Sequence, residues 1–325
     1  MERKMELGLY LFGEVDEEWL TFVNQLGVET VVMANPRLPG DGRWEFMDLL
    51  QMRTAIENVG PRLAAIENVP PSFYDKIMLG LPGRDEQIEN MAATIRNMGA
   101  AGIDTFGYHW MPNSVWRTSN TTPTRGGATV TSFDMELVKG APLTHGRVFT
   151  EEEMWEYYEY YMKAILPVAE EAGVRLALHP DDPPVESLGG IPRLFRSFEG
   201  FKHGISLVDS PMHGLDFCVG SWSEMGPGVI DAVRYFGERD QIFYVHFRDV
   251  QGYVPKFAES FVNDGNCDMF EVMRALKESG FTGWMITDHV PNMINDTPQG
   301  HRARAFTIGY MAACLERLNA ASIEK

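Results

Sequence analysis

Eight short, apolar, β-prone runs recur along the chain, each followed sooner or later by a segment of helical periodicity. They read ELGLYLF (6–12), ETVVMA (29–34), RLAAIEN (62–68), DTFGYHW (104–110), VRLAL (174–178), GLDFCVGS (214–221), IFYVHFRDV (242–250) and WMITDHVP (284–291). The intervening helical patterns cover 14–26, 44–57, 85–98, 151–172, 191–198, 227–236 and 269–279, and a last one, 300–318, closes the chain. Continuous apolar runs of this kind suit parallel strands buried on both faces. Eight strand-then-helix units in succession predict an α/β fold, a closed (β/α)8 TIM barrel. A doubly wound open sheet would call for a Gly-rich phosphate loop after the first strand, and Phe12-Gly13-Glu14 is not one.

No composition break marks a second domain, so residues 1–325 read as one barrel domain. The stretch 111–150, rich in Thr, Gly, Pro and Ser, reads as a long loop insertion after strand 4. A structureless segment of that length is either functional or disordered. The expectation is a lid over the barrel mouth.

The formal net charge of −18, with no cluster of Lys and Arg, argues against nucleic-acid and anionic-membrane surfaces. Three cysteines, Cys218, Cys267 and Cys314, give no disulfide framework and fit a reducing compartment. No apolar run is long enough to span a bilayer. The start, MERKMELGLYLF, lacks a small-residue cleavage pattern. A cytoplasmic location is the default expectation. A homodimer is the default assembly, because two-fold dimers are the commonest closed oligomers.

The chemistry concentrates at the ends of the later strands. In barrels of this type catalytic groups sit at the C-terminal ends. VRLAL runs into His179 and then Pro-Asp-Asp-Pro-Pro; strand 6 carries Cys218, strand 7 His246, and strand 8 Asp288 beside His289. Imidazole, thiolate and carboxylate are ligands for a catalytic metal. His179, Cys218, His246 and Asp288 therefore form a candidate metal set on four consecutive strands. Each has a plainer reading. Cys218 suits a small buried hydrophobe, His179 a strand cap, His246 a satisfied core histidine, and Asp288 a partner for Arg248. His289 is the candidate general acid/base. Glu67 and His109, at the ends of strands 3 and 4, and Arg248, after His246, are candidates for substrate contact. Asp249 reads as support for a ligand histidine or for Arg248. His145, His203 and His213 read as surface groups in loops.

LHPDDPP, GLDFCVGS, VHFRDV and FAESFVNDGNCDMFEVMRALKESGFTGWMITDH resemble the mannonate dehydratase family. The likeness extends to IENVPPSFYDKI and GIDTFGYHWMPNSVWRT, and so covers most of the chain. It implies a TIM barrel of the xylose-isomerase type and Mn²⁺- or Fe²⁺-dependent dehydration of D-mannonate to 2-keto-3-deoxy-D-gluconate. It implies His179, Cys218, His246 and Asp288 as metal ligands, His289 as the catalytic histidine, and Arg117 as a substrate contact. The partner implied is a small sugar acid.

Three departures stand out. The family pattern at strand 8 is Arg-Pro-Asp-His-Gly-Arg, where this chain reads Ile-Thr-Asp-His-Val-Pro. The family's catalytic tyrosine before the last helix has no counterpart in TPQGHRARA, where His301 or Arg302 is the expected substitute. His109 stands where an asparagine is expected. A kept metal site with an altered substrate side points to the same reaction class on this or another aldonic acid. A metal-dependent sugar isomerase or epimerase on the same barrel, and a silent sugar-acid binder, are the alternatives.

Overall fold

The computed structural model describes residues 4–323; Met1 to Arg3, the basic start of the N-terminal run, lie outside the described residues. Among the described residues, eight parallel strands close a barrel: Glu6–Phe12, Thr30–Ala34, Arg62–Glu67, Thr105–Tyr108, Arg175–Leu178, His213–Cys218, Ile242–His246 and Trp284–Ile286. They are strands 1 to 8 below. Each pairs with its neighbours in chain order, and strand 8 closes on strand 1. The registers set the rim. Cys218 is level with His246, His246 with Ile286, and Ala34 with Glu67.

The helices form where amphipathic patterns meet capping residues. Thr150 and Glu153 make a reciprocal capping box at the start of helix Glu151–Ala172, which ends at Gly173 in the left-handed conformation (φ 68°). Asp16 caps Glu17–Gln25 and Asp268 caps Met269–Glu278. The main apolar core lies between the strands and this helical ring, with Trp44, Phe73, Phe217 and Phe236 fully buried.

Three expectations change. Residues 191–198 are not a helix: Ile191–Pro192 pairs with Ser187–Leu188 as a small hairpin, and the helix runs Phe198–Ser206, capped by Ser197. Pro192 removes a backbone donor, and the apolar side chains from Ile191 to Phe195 serve burial rather than a helical stripe.

The stretch 111–150 is not irregular throughout. Ser119–Pro123 and Thr129–Asp134 form a hairpin, and Thr129–Asp134 pairs with Lys256–Glu259, itself hairpinned to Val250–Tyr253. Phe133 stacks near Phe257 (5.9 Å between centroids) over Val185, Leu188 and Val250. The Thr-rich alternation suits a pleated sheet, but its partner strand lies more than a hundred residues later, so local sequence conceals it.

His213 is not a surface group. It opens strand 6, is 2% exposed, and its Nε2 lies 2.9 Å from the Tyr158 hydroxyl.

Candidate metal centre and active site

His179, Cys218 and His246 each offer a ligand atom, all within 4.8 Å of one another. Asp288 completes the group, with Oδ2 3.6 Å from His246 Nδ1 and 4.0 Å from Cys218 Sγ. The positions follow from the strand registers. Cys218 ends strand 6 and also caps the helix Val219–Glu224, where its sulfur accepts from Ser221 N (3.5 Å) and Ser221 Oγ (3.3 Å). His179 follows strand 5, its own N–H donating to Tyr108 O across to strand 4.

The hydrogen bonds decide which histidine nitrogens are free. His246 Nε2 lies 2.7 Å from the Tyr10 hydroxyl, 3.0 Å from Glu67 Oε2 and 3.1 Å from Asp216 Oδ2. The Glu67 carboxylate accepts at that nitrogen, which therefore carries the proton, because Tyr10 spends its own proton on Glu67 Oε2 (2.6 Å); Asp216 lies close by, its carboxyl pushed up by burial. Nδ1 of His246 is buried and has no hydrogen-bond partner among the described residues. His179 Nδ1 donates to Pro180 O (2.6 Å), which leaves Nε2 with the lone pair. Fixing one ring nitrogen so that the other is free is how proteins orient metal-bound histidines.

The local field also suits a cation. Burial would push the Cys218 thiol up, but Arg248 and His179 bring it well below the ordinary thiol range. Burial opposes charge on His179, yet the Cys218 sulfur and Asp216 lift it to about 9. His246 is pulled the same way by Asp216 and Glu67 against its burial. Sites that attract a proton this strongly to lone-pair nitrogens attract a metal ion at the same atoms. The orphaned Nδ1, the sulfur anion and the carboxylate fit a divalent transition metal.

Beside this group lies a buried ionic network. Arg248 Nε donates to Asp288 Oδ2 (2.8 Å), Nη1 to Glu224 (3.1 Å) and Glu259 (2.9 Å), and Nη2 to Asp182 (3.1 Å). Gly220 makes room for it, since a Cβ there would stand 2.6 Å from Arg248 Cζ. Arg117 donates to both Asp182 oxygens and to Glu259 (2.9 Å). Asp182, Glu224 and Glu259 are also close enough to share a cation, but their oxygens already face these guanidinium groups. Burial and Asp182 raise the Glu224 carboxyl well above the usual range, whereas Asp182 is held well below it, the arginines overriding its burial.

His289 stands at the edge, its side chain 41% exposed, with Nδ1 2.8 Å from Glu259 Oε1 and Nε2 3.8 Å from Asp288 Oδ1. Burial opposes its charge, but Asp288 and Glu259 raise its pKa. A cavity of about 580 Å³ opens here, lined among others by Tyr10, Asn35, Glu67, Asp288, His289 and Arg304.

The remaining expected site residues divide. Glu67 is buried within the cluster, accepting also from the Tyr244 hydroxyl (2.9 Å). His109 accepts from Met111 N at Nδ1 (3.1 Å) and meets Tyr74 OH at Nε2 (3.0 Å); burial, with His179 and Arg193, holds it down at about 3 and therefore neutral. Arg117 and Arg248 are committed to carboxylates rather than open to the cavity. His301 is not with the others. Its ring packs against Trp19 (4.8 Å) and Phe22 (4.5 Å) and bonds Thr297, so it faces the outer helices. Among the described residues Asp249 hydrogen-bonds neither Arg248 nor a ligand histidine; it accepts from Cys267 N (2.6 Å) and Val250 N (2.8 Å), and Arg248 acts on its charge only through space. Tyr10, Asp216, Tyr244, Glu259 and Arg304 carry no local signal of a site. Only closure of the barrel points them inward.

The family model for D-mannonate dehydratase (UxuA) matches residues 5–146 and 142–324. Mannonate dehydratase 2 of Halalkalibacterium halodurans is 32% identical over 315 residues, covering 88% of this chain and 90% of that protein. Mannonate dehydratase of Streptococcus uberis is 33% identical over 314 residues, covering 88% and 89%. The crystal structure of mannonate dehydratase from Streptococcus suis serotype 2 superposes with a TM-score of 0.90 at 30% identity, covering 98% of this chain and 95% of that one. A D-psicose 3-epimerase crystallised with D-fructose shares the fold alone, at 13% identity and a TM-score of 0.66. No helix among the described residues is long and apolar enough to cross a membrane. The chain belongs to the D-mannonate dehydratase family, enzymes of the hydro-lyase class.

Proposed function

We propose that the protein dehydrates an aldonic acid, D-mannonate or a close relative, to the 2-keto-3-deoxy acid and water. The observation that carries this reading is the convergence of His179, Cys218, His246 and Asp288 around a buried, unbonded His246 Nδ1, in a chain of this family. These four residues would hold Mn²⁺ or Fe²⁺. Bound there, the cation would act as a Lewis acid toward the substrate carboxylate or its adjacent hydroxyl, stabilising charge as the C2 proton leaves.

The protein's own groups handle the protons. The Glu259 carboxylate accepts from His289 Nδ1–H, which leaves Nε2, 3.8 Å from Asp288 Oδ1 in the cavity lining, as the base for the C2 proton. The electron pair of the broken C2–H bond forms the C2–C3 double bond as the C3–O bond breaks. The hydroxyl leaves as water once it takes a proton, which His289, newly protonated, is placed to return. The enol then becomes the keto acid by proton transfer to C3. Arg117 and Arg248 hold Glu259 in place from behind, and Tyr10, Glu67 and Tyr244 fix the His246 ring.

The test begins with protein purified without chelator. Elemental analysis reads bound metal. Incubation with Mn²⁺ and a panel of hexonates and pentonates, assayed for 2-keto-3-deoxy acids, reads the reaction. Turnover that vanishes in Cys218→Ala and His289→Asn supports the proposal. Metal bound without keto acid from any aldonate overturns the dehydratase reading, and absence of any bound metal overturns the metal site.

A further inference from the structure

We infer that the guanidinium of Arg304 is the group that takes the carboxylate end of the substrate. The inference rests on the proposed function and deepens it. The four hydrogen bonds of the Arg304 side chain all go to neutral oxygens: Nε to Gln299 O (2.9 Å), and Nη1 to Thr287 O (2.9 Å), Thr287 Oγ1 (2.9 Å) and Asp288 O (3.0 Å). No carboxylate oxygen among the described residues comes within 4.0 Å of it. Nη2 has no protein acceptor among them. The residue is 7% exposed, and it lines the cavity that holds Asp288 and His289. Asp288 and Asp296 act on it only from beyond ion-pair distance, and a buried charge without a contacting counter-ion is costly. Here the group is held rigid by neutral bonds with one donor edge left over, the arrangement of a site built for an incoming anion.

The other basic groups near the cavity are spent or turned away. Arg117 and Arg248 are saturated by Asp182, Glu224, Glu259 and Asp288. Arg302 donates to Ile294 O on the exposed side, and His301 packs outward. The start of helix His301–Ile323 is no competing anion site. The N–H groups of Arg302 and Ala303 go to Asp296, and that of His301 to Thr297. The lining also carries the carboxylates Glu67, Glu259 and Asp288, which are already engaged by Tyr10, Tyr244, Arg117, Arg248 and His289, while Asn35, Thr131, Asn292 and Gln299 are neutral and suit hydroxyls. A fixed cation with a free donor edge, beside carboxylates that already have partners and several neutral hydrogen-bonding groups, fits a polyhydroxy monoacid. It also places the carboxylate contact on the last helix, in a chain whose strand 8 has no arginine at Ile286-Thr287-Asp288-His289-Val290-Pro291.

The experiment compares binding of D-mannonate with that of D-mannitol, its neutral counterpart, to the metal-loaded protein by calorimetry. Wild type, Arg304→Gln and Arg304→Lys are measured, with metal content and melting temperature read on the same samples. A charge-assisted pair predicts that Arg304→Gln weakens mannonate binding by about 10- to 100-fold, leaves mannitol unchanged, and is partly rescued in Arg304→Lys. Equal loss for both ligands would mark Arg304 as a brace of strand 8 and overturn the inference, as would undiminished mannonate binding. If the Gln variant loses its metal, the Lys variant decides: loss of mannonate selectivity despite a retained charge and metal overturns the inference, and kept selectivity supports it. Turnover is read separately. A wild type that binds mannonate through Arg304 but forms no keto acid fails the proposed function and keeps this inference. Normal turnover with unchanged binding in Arg304→Gln does the reverse. A wild type that binds no aldonate overturns both.

Discussion

Nδ1 of His289 lies 2.8 Å from Oε1 of Glu259, thirty residues away in sequence, and the same oxygen accepts from Arg248 Nη1 and Arg117 Nη2, each at 2.9 Å. The exposed histidine is thus tied through one carboxylate to the buried arginines. Glu259 fixes its tautomer and its direction, while its own position is set by groups that never meet the cavity.

Replacing Glu259 with Gln should therefore lower kcat by about 10- to 100-fold and shift the pH profile. Burial works against charge on His289, but Asp288 and Glu259 raise its pKa above the ordinary 6.5. A base must be unprotonated, so activity should fall as pH drops through that raised value. Removing the Glu259 charge should move this acid limb to lower pH. A pH–rate profile of kcat/KM with an unmoved limb would rule out the coupling.

Cys218→Ala should lose the metal while the fold survives, because the sulfur's close hydrogen bonds are to Ser221 N and Oγ at one helix start and its contact with Asp288 Oδ2 is long at 4.0 Å. We expect at least about tenfold weaker metal affinity, measured by competition with a chromophoric chelator. Cys314→Ala, on the last helix, should leave affinity as it is. Equal affinities for the two variants would remove Cys218 from the metal set.

Arg248→Met should unfold far more easily than wild type. It would take the Arg248 cation from Glu224, Glu259, Asp182 and Asp288 and leave Arg117 to face Asp182 and Glu259 alone. Breaking one side of a buried pair costs about 3–5 kcal/mol. Urea titration measures it, and a loss under about 1 kcal/mol would mean that water reaches the network.

Acid should weaken the fold through two histidines kept neutral by burial. His109 and His213 are each held down at about 3 against an ordinary 6.5. The unfolded chain therefore binds protons that the native state refuses. The stability from these groups is complete above about pH 6.5 and is lost as pH falls toward 3, at up to about 1.4 kcal/mol per unit for each. His213→Gln should flatten part of that slope in melting curves taken between pH 7 and 4. An unchanged slope would assign acid sensitivity elsewhere.

The barrel and its rim were legible in the sequence because both are local. Short β-prone runs alternate with helical stripes, and His179, Cys218, His246 and Asp288 each fall where a run ends, so the strand ends could be named before any contact was known. The pairing of residues 129–134 with 256–259 was hidden, because a strand's partner is chosen by packing across the fold. The same holds for the choice of Arg304 over His301 as the residue lining the cavity: one turn of the last helix separates them, and only its seat against strand 8 and Trp19 assigns their directions. Tertiary structure alone leaves Nδ1 of His246 without a hydrogen-bond partner among the described residues, since that depends on Tyr10, Glu67 and Asp216 arriving from three other strands at the opposite nitrogen. Periodicity specifies which face and which end a residue occupies. Hydrogen-bond direction and charge balance are properties of groups brought together from distant parts of the chain.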